Sequence, residues 1–253
     1  MKRILMILVT IVLSLTIGQV AEVLREGTLE ASASVVVEDT TTEEKVEAVE
    51  VVPTTDVWTP EACPEDYKKT INKAQENNPD VLGIVEVPAA GISEFILISK
   101  DNDDYLHLDA MGNASQAGSV ILDCNSKKEL DSTNTMLFGH NMKNGSVFGN
   151  LAKLMDKDLC LSDPYVYIYT KDYKYTYKVF SVHPTTASGD EFYVNLETGT
   201  DRYQEYLDTN KELSLFDVGT DVNNENEVVT LCTCYQTTVN KDSRLVVQAQ
   251  LQK

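Results

Sequence analysis

Eight short runs rich in β-branched and aromatic residues fill the chain from Val81 onward, and they constrain its fold more than any other feature. The runs read VLGIVEVP, GISEFILIS, AGSVILD, TNTMLFG, YVYIYT, YKYTYKVFSVH, EVVTLCTC and RLVVQAQL. Such runs are typical of β-strands, and the glycine, proline, asparagine and aspartate residues between them are typical of turns. Because turns rather than helices separate most of the runs, the pattern predicts a β-barrel or sandwich and argues against a βαβ fold.

Three other segments carry helical signals. The segment TPEACPEDYKKTINKAQENNPD precedes the first run, and a helix can begin there at Thr59 or Pro64 and must end at the Asn-Asn-Pro sequence of residues 77–79. Two insertions between the runs, GSVFGNLAKLMD and DRYQEYLDTNKEL, are also expected to be helical. The adjoining fifth and sixth runs fit a hairpin that turns around Lys171 and Asp172.

The first residues of the chain predict a membrane anchor. Met1, Lys2 and Arg3 precede an uncharged apolar run, and positive charge before such a run orients the N-terminus toward the cytoplasm. No convincing cleavage site follows, so an uncleaved anchor over residues 1–24 is favoured over a cleaved signal peptide. The expected localisation is the cell membrane, with a single pass, a cytoplasmic N-terminus and an extracellular folded domain.

The anchor is followed by residues 25–59, which are acidic and rich in Thr, Glu and Val. This composition predicts a disordered stalk ahead of a folded domain over residues 60–253. The whole chain has 40 acidic and 21 basic residues, a formal net charge of -19. Nucleic-acid binding needs a basic face that neutralises phosphates, so no nucleic-acid partner is expected.

The cysteines point to a reactive thiol. They are Cys63, Cys124, Cys160, Cys232 and Cys234, an odd number that leaves at least one without a disulfide partner. An unpaired cysteine in an exported protein is most simply explained as a reactive thiol. For any single cysteine, the alternative is a small buried hydrophobic residue.

A reactive thiol needs a base, and the chain has three histidines. His107 lies in a polar segment and is expected to be exposed, whereas His183 ends a strand before a proline and is expected to be structural. His140 follows a hydrophobic strand and Gly139 at the mouth of a loop, where rigid scaffolds display functional side chains. A loop residue without chemical function is an equally good interpretation of His140 from these residues alone.

The last two strand runs supply a possible cationic partner. One strand ends at Cys234 and the next begins near Arg244 after a turn of about ten residues. Antiparallel neighbours joined in this way bring their facing ends together, so Cys234 and Arg244 are expected to lie close in space. The alternative is that Arg244 only protects an exposed strand edge.

Several motifs resemble those of the sortases, the cysteine transpeptidases of Gram-positive cell surfaces. TLCTC resembles their TLxTC signature, GHNMKNGSVFGNL resembles the class B histidine loop, and RLVVQAQL resembles the strand with the active-site arginine. NPDVLGIVEVP, DNDDYLHLDAMGNASQAGSVILD and YQEYLDTNKELSLFDVGTDV also resemble class B segments. The resemblance covers roughly residues 60–253. It implies a mainly β fold, a closed barrel of about eight strands with an N-terminal helix and an inserted helix before the catalytic strand.

The resemblance also implies a mechanism. Cys234 would be the nucleophile, His140 the general acid and base, and Arg244 the oxyanion-stabilising or substrate-positioning cation. The partners would be a surface protein with a C-terminal sorting signal, cleaved after Thr through a thioacyl-enzyme, and an amine of the peptidoglycan cross-bridge or stem peptide. A pilin lysine is the alternative acceptor. A hydrolytic cysteine peptidase and a binding module without catalysis are alternative functions. No cofactor and no metal are expected.

Three further residues match positions that line the peptide groove of class B sortases, namely Asn102, Leu106 and Cys232. Cys232 occupies the variable position of the signature, and in an extended strand it faces the same side as Cys234. A disulfide between the two would be strained and would inactivate the enzyme, so Cys232 is expected to remain a thiol. A redox switch is the alternative, and it predicts that a reductant raises activity.

Overall fold

The computed structural model describes residues 58–189, 192, 196–235 and 242–253. The predicted anchor over residues 1–24 lies outside them, as does the predicted stalk except for residues 58 and 59. A membrane-spanning helix needs about 20 mainly apolar residues, whereas the two longest helices in the described ranges have 13 residues each. No helix there is long and apolar enough to cross a membrane. This finding contradicts the predicted single-pass localisation.

The described chain folds into strands that follow the sequence pattern closely. The strands are β1 (Glu61–Ala62), β2 (Val81–Val87), β3 (Ile92–Ile98), β4 (Val120–Leu122), β5 (Asn134–Phe138), β6 (Tyr165–Thr170), β7 (Tyr173–Thr186), β8 (Val228–Cys234) and β9 (Ser243–Leu251). The eight predicted runs correspond to β2 through β9, and the hairpin between β6 and β7 turns at Lys171 and Asp172 as predicted.

Two of the three helices in the described ranges lie where the sequence predicts them, whereas the segment GSVFGNLAKLMD contains only a short 3₁₀ turn and the helix nearest to it begins at the residue after it. The three helices are α1 (Glu65–Asn77), α2 (Lys157–Ser162) and α3 (Asp201–Leu213), with short 3₁₀ turns at Pro88–Ala90 and Leu151–Met155. Pro64 precedes the first residue of α1, where a missing backbone donor costs nothing. The Thr200 side chain accepts a hydrogen bond from the Tyr203 amide at 3.2 Å, which caps the first turn of α3.

The sheet closes on itself. Its strand order is β1-β7-β6-β2-β3-β4-β5-β8-β9, and β9 also pairs with β7, so β2 to β9 form a closed eight-stranded barrel with β1 as an additional edge strand. The pairs β3–β4 and β5–β8 are parallel. The mainly β, closed-barrel prediction is confirmed, and the alternative of a sandwich is not adopted.

The core has an interior part and parts under the helices. Alternate residues such as Val166 and Ile168 of β6 point into the barrel, where they pack in one cluster with Tyr177 and Val179 of β7. On the outside, α1 buries Ile71 against the sheet. Helix α3 buries a second apolar face that includes Tyr203 and Leu207. The barrel is therefore a packed scaffold, and it holds the ends of its strands in place.

Candidate active site

Cys234 is the last residue of β8, and its side chain is half-buried. In the antiparallel register of β8 and β9 it lies directly opposite Arg244. The Tyr235 amide donates to the Ser243 carbonyl at 2.9 Å, so the pairing continues past the cysteine. The structure thus brings Cys234 and Arg244 together by the strand pairing that the sequence predicts.

His140 reaches the same place by a different route. It lies two residues after the end of β5, which pairs in parallel with β8. The Gly139 amide donates to the Cys232 carbonyl at 3.1 Å, and the Thr233 hydroxyl donates to the Gly139 carbonyl at 2.7 Å. The backbone immediately before His140 is therefore bonded to the strand that carries Cys234.

The three residues line one cavity of about 110 Å³. Its lining consists of Tyr105, Leu106, Ser119, Ile121, Phe138, Gly139, His140, Cys232, Thr233, Cys234 and Arg244. Four of these residues also line a second cavity of about 480 Å³, which therefore adjoins the first. The second cavity is lined by Asn102, Leu106, Ile121, Asp123, Asn125, Met136, Phe138, Ala187, Phe192 and Arg244. The cavity that contains Cys234 and the larger cavity thus share part of their walls.

A backbone contact orients the His140 ring. Nε2 of His140 lies 3.1 Å from the carbonyl oxygen of Leu106. Because a carbonyl oxygen can only accept, this hydrogen bond assigns the proton of the neutral ring to Nε2 and leaves Nδ1 as the acceptor. The sequence identified Leu106 only as a groove residue, since a main-chain contact of this kind leaves no side-chain pattern.

The other two histidines occupy the environments expected for them. His107 is exposed, and its ring centroid lies 6.3 Å from that of His140 with the planes inclined by 18°. His183 is buried within β7, and its Nδ1 lies 2.9 Å from the hydroxyl oxygen of Ser181. Neither residue lines the cavity that contains Cys234.

The three groove candidates lie in the two adjoining cavities, but with different environments. Leu106 lines both cavities, and Cys232 lines the first, where it is buried beside Met136 and Val246. Asn102 lines the second cavity, and its side chain is already engaged: Nδ2 donates to Asp123 Oδ1 at 2.6 Å. The Oδ1 atom of Asn102 also accepts a hydrogen bond from the backbone amide of Cys124 at 2.8 Å. The side-chain amide of Asn102 therefore links its own loop to Asp123 and Cys124 and also lines the second cavity.

Among the five cysteines, none forms a disulfide. Cys232 and Cys234 lie two positions apart in β8 and line the same cavity. Cys232 therefore lies in the cavity wall, and the expectation that it remains a thiol there stays a prediction. The redox switch stays a prediction.

The loop that presents His140 is tightly folded. Phe148 is fully buried, and its amide donates to the His140 carbonyl at 3.1 Å. The Val147 amide donates to Glu94 Oε1 of β3 at 2.8 Å. A Cβ atom on Gly149 would lie 2.0 Å from the Met142 carbonyl oxygen. This close backbone approach explains why a glycine stands there.

Gly149→Ala is therefore expected to displace the His140 loop. We expect a loss of unfolding free energy of about 1–3 kcal/mol, as for other overpacked sites, together with a drop in kcat. Denaturant unfolding and steady-state kinetics measure the two effects. Ser146→Ala in the same loop is the control. Wild-type stability and kcat in Gly149→Ala would show that the loop tolerates the added methyl group.

Comparisons with known sequences identify the family. The sortase domain family matches residues 85–252. Sortase B of Listeria monocytogenes serovar 1/2a is 31% identical over 187 residues, which cover 74% of this chain and 75% of that protein. Sortase B of Staphylococcus aureus is 25% identical over 189 residues, which cover 75% of this chain and 77% of that protein.

Comparisons with solved structures identify the same family. Sortase B of Bacillus anthracis in complex with AAEK1 has a TM-score of 0.65 and 32% identity, covering 77% of this chain and 89% of that one. Clostridium perfringens sortase B has a TM-score of 0.66 and 28% identity, covering 72% and 99%. A sortase B complexed with triglycine has a TM-score of 0.66 and 25% identity, covering 74% and 86%. The chain therefore belongs to the sortase family, and it is a cysteine transpeptidase of class B.

Proposed function

We propose that Cys234, His140 and Arg244 carry out transpeptidation, and that residues 60–253 are the catalytic domain. The observation that supports this most directly is that all three side chains line one cavity of about 110 Å³. A thiol, an imidazole and a guanidinium are the groups that acyl transfer through a thioester needs: a nucleophile, a proton carrier and a permanent positive charge.

The reaction would proceed in two halves. The Cys234 thiolate attacks the carbonyl carbon of the scissile amide, and Arg244 stabilises the negative charge that develops on the carbonyl oxygen. His140 gives its proton to the departing amine as the C–N bond breaks, which leaves a thioester on Cys234. An incoming amine then attacks the thioester, His140 takes a proton from it, and the thiolate leaves. Each half restores the proton that the other half uses.

The substrates of this proposal are a surface protein and a cell-wall amine. The surface protein carries a C-terminal sorting signal that is cleaved after Thr, and the second cavity of about 480 Å³ offers room for the signal residues before the scissile bond. The complex of a related sortase B with triglycine supports an amine acceptor such as a peptidoglycan cross-bridge. A stem-peptide amine has the same chemistry.

The test uses the full-length chain with a library of fluorogenic sorting-signal peptides, with and without an added oligoglycine or diamino-acid nucleophile. Transfer to the added amine is the expected result, detected by mass spectrometry of the ligated product. Cleavage without transfer would replace the proposal with a hydrolytic peptidase. Transfer only to a pilin lysine would make the enzyme a pilin polymerase.

Arg244 is expected to act through its charge and its planar geometry. Arg244→Gln should lower kcat/KM by about 10²- to 10³-fold, because removing one oxyanion donor has this effect in other acyl-transfer enzymes. Arg244→Lys keeps the charge without the planar donor fork and should recover only part of the rate. Steady-state transfer kinetics measure both variants. A wild-type rate in Arg244→Gln would confine Arg244 to a structural role at the end of β9.

A further inference from the structure

We propose that Asn141 is a positioning residue that holds Cys234 in register with His140, an inference that rests on the proposed roles of those two residues. Asn141 directly follows His140, and its Nδ2 donates to the backbone carbonyl of Cys234 at 2.8 Å. The two bonded residues are 93 positions apart in the chain. The contact joins the loop that carries the proposed base to the strand that carries the proposed nucleophile.

The position of this bond continues the strand pairing. The parallel register of β5 and β8 ends at Phe138 opposite Cys232, and the Gly139 amide then donates to the Cys232 carbonyl at 3.1 Å. Carbonyl groups two residues apart in a strand point to the same side, so the Cys234 carbonyl faces the chain beyond Gly139. In a continued ladder the next donor would be the backbone amide of residue 141. Here the Asn141 side chain supplies that donor.

Because a side chain replaces a backbone donor at this position, the backbone after Gly139 does not have to follow β8. The backbone is released from the ladder at His140, so the imidazole can turn into the cavity and reach the Leu106 carbonyl at 3.1 Å. His140 is nevertheless bracketed by two cross-links to β8, one at Gly139 and one at Asn141. On its opposite side, Cys234 is held by its register with Arg244. Asn141 thus fixes the cysteine on the side that faces the base.

Small errors in the separation of nucleophile and base are costly, since a displacement of about 1 Å reduces rates by as much as 10²-fold. Removing the Asn141 donor should therefore lower kcat more than it changes KM, because the second cavity, where the proposed function places the peptide, is lined by other residues. We expect a loss of about tenfold in kcat for Asn141→Ala, an effect smaller than that full displacement.

The experiment compares Asn141 with Asn144, an exposed asparagine of the same loop. Asn144 accepts from the Ser146 amide at 3.1 Å and from its hydroxyl at 2.8 Å, so its contacts stay within the loop. The variants are Asn141→Ala, Asn141→Asp and Asn141→Gln, with Asn144→Ala and Asn144→Asp as matched controls. A carboxylate cannot donate to a carbonyl, so Asn141→Asp should be as slow as Asn141→Ala. Asn141→Gln keeps a donor and should recover most of the rate, and both Asn144 variants should match the wild type.

A second readout separates this inference from the proposed function. The rate of Cys234 alkylation by iodoacetamide is measured against pH in the full-length wild type and in each variant, and thermal unfolding confirms that each variant is folded. Asn141→Ala and Asn141→Asp should change the pH profile of alkylation, and the Asn144 variants should not. An unchanged profile, a wild-type kcat in Asn141→Ala, or an equal loss in Asn144→Ala would overturn the inference. Absence of transfer by the wild type would instead refute the proposed function and leave alkylation as the test of Asn141.

Discussion

Replacing Cys234 by alanine is expected to lower kcat/KM for amine transfer by more than about 10⁴-fold, because nucleophile removal in comparable acyl-transfer enzymes has effects of this size or larger. No other thiol lies in an equivalent position. Cys232 lines the same cavity, but it is 2% exposed and belongs to the wall of Met136 and Val246. The measurement is the initial rate of product formation with the peptide that the wild type uses best.

Selective alkylation links this loss to one thiol. Burial raises the pKa of the Cys160 thiol to about 11, and burial also raises the pKa of the Cys63 thiol, so both should react slowly near neutral pH. Cys124 is exposed and is the thiol most open to competing reaction. In a Cys124→Ala background, the loss of transfer should follow the alkylation of Cys234. Residual transfer after complete alkylation of Cys234 would contradict its role as the nucleophile.

Replacing His140 by alanine is expected to lower kcat by about 10²- to 10⁴-fold, the usual contribution of a positioned acid–base group. The loss should affect both halves of the reaction, because the imidazole protonates the departing amine and deprotonates the incoming one. Raising the pH should partly restore the second half, since the incoming amine then loses its proton to solvent. Single-turnover kinetics separate formation of the thioester from its aminolysis.

The matched control for His140 is His107→Gln. The two rings are 6.3 Å apart between centroids, but His107 is exposed and does not line the cavity. The His107 variant should therefore keep the wild-type kcat, and added imidazole should partly rescue only His140→Ala. Equal losses of kcat in both variants would contradict a specific role for His140.

The local sequence pattern was sufficient to predict the barrel strands and the two longer helices, α1 and α3, but it placed the short helix before the position of α2. β-Branched and aromatic runs correspond to β2 through β9, and the turn at Lys171 and Asp172 and the helix limit at Asn77 follow from residues that are adjacent in the chain. The closeness of Cys234 and Arg244 was predicted for the same reason, because their strands are consecutive in the chain and pair antiparallel. The prediction of a single-pass localisation was wrong for the described part of the chain.

The contacts that complete the site depend on distant parts of the chain. His140 approaches Cys234 because β5 and β8 pair in parallel, and no short turn sets the register of such a pair. The Leu106 carbonyl that orients His140 and the Asn141 amide that bonds to Cys234 belong to loops with no periodic pattern. The sequence alone thus determined the strands, the two longer helices and the chemical types of the site residues, which follow from local propensity and from motifs. Only the tertiary structure decided which carbonyl contacts the His140 ring and which cross-links surround it, because closure of the barrel brings together backbone groups that no local sequence rule connects.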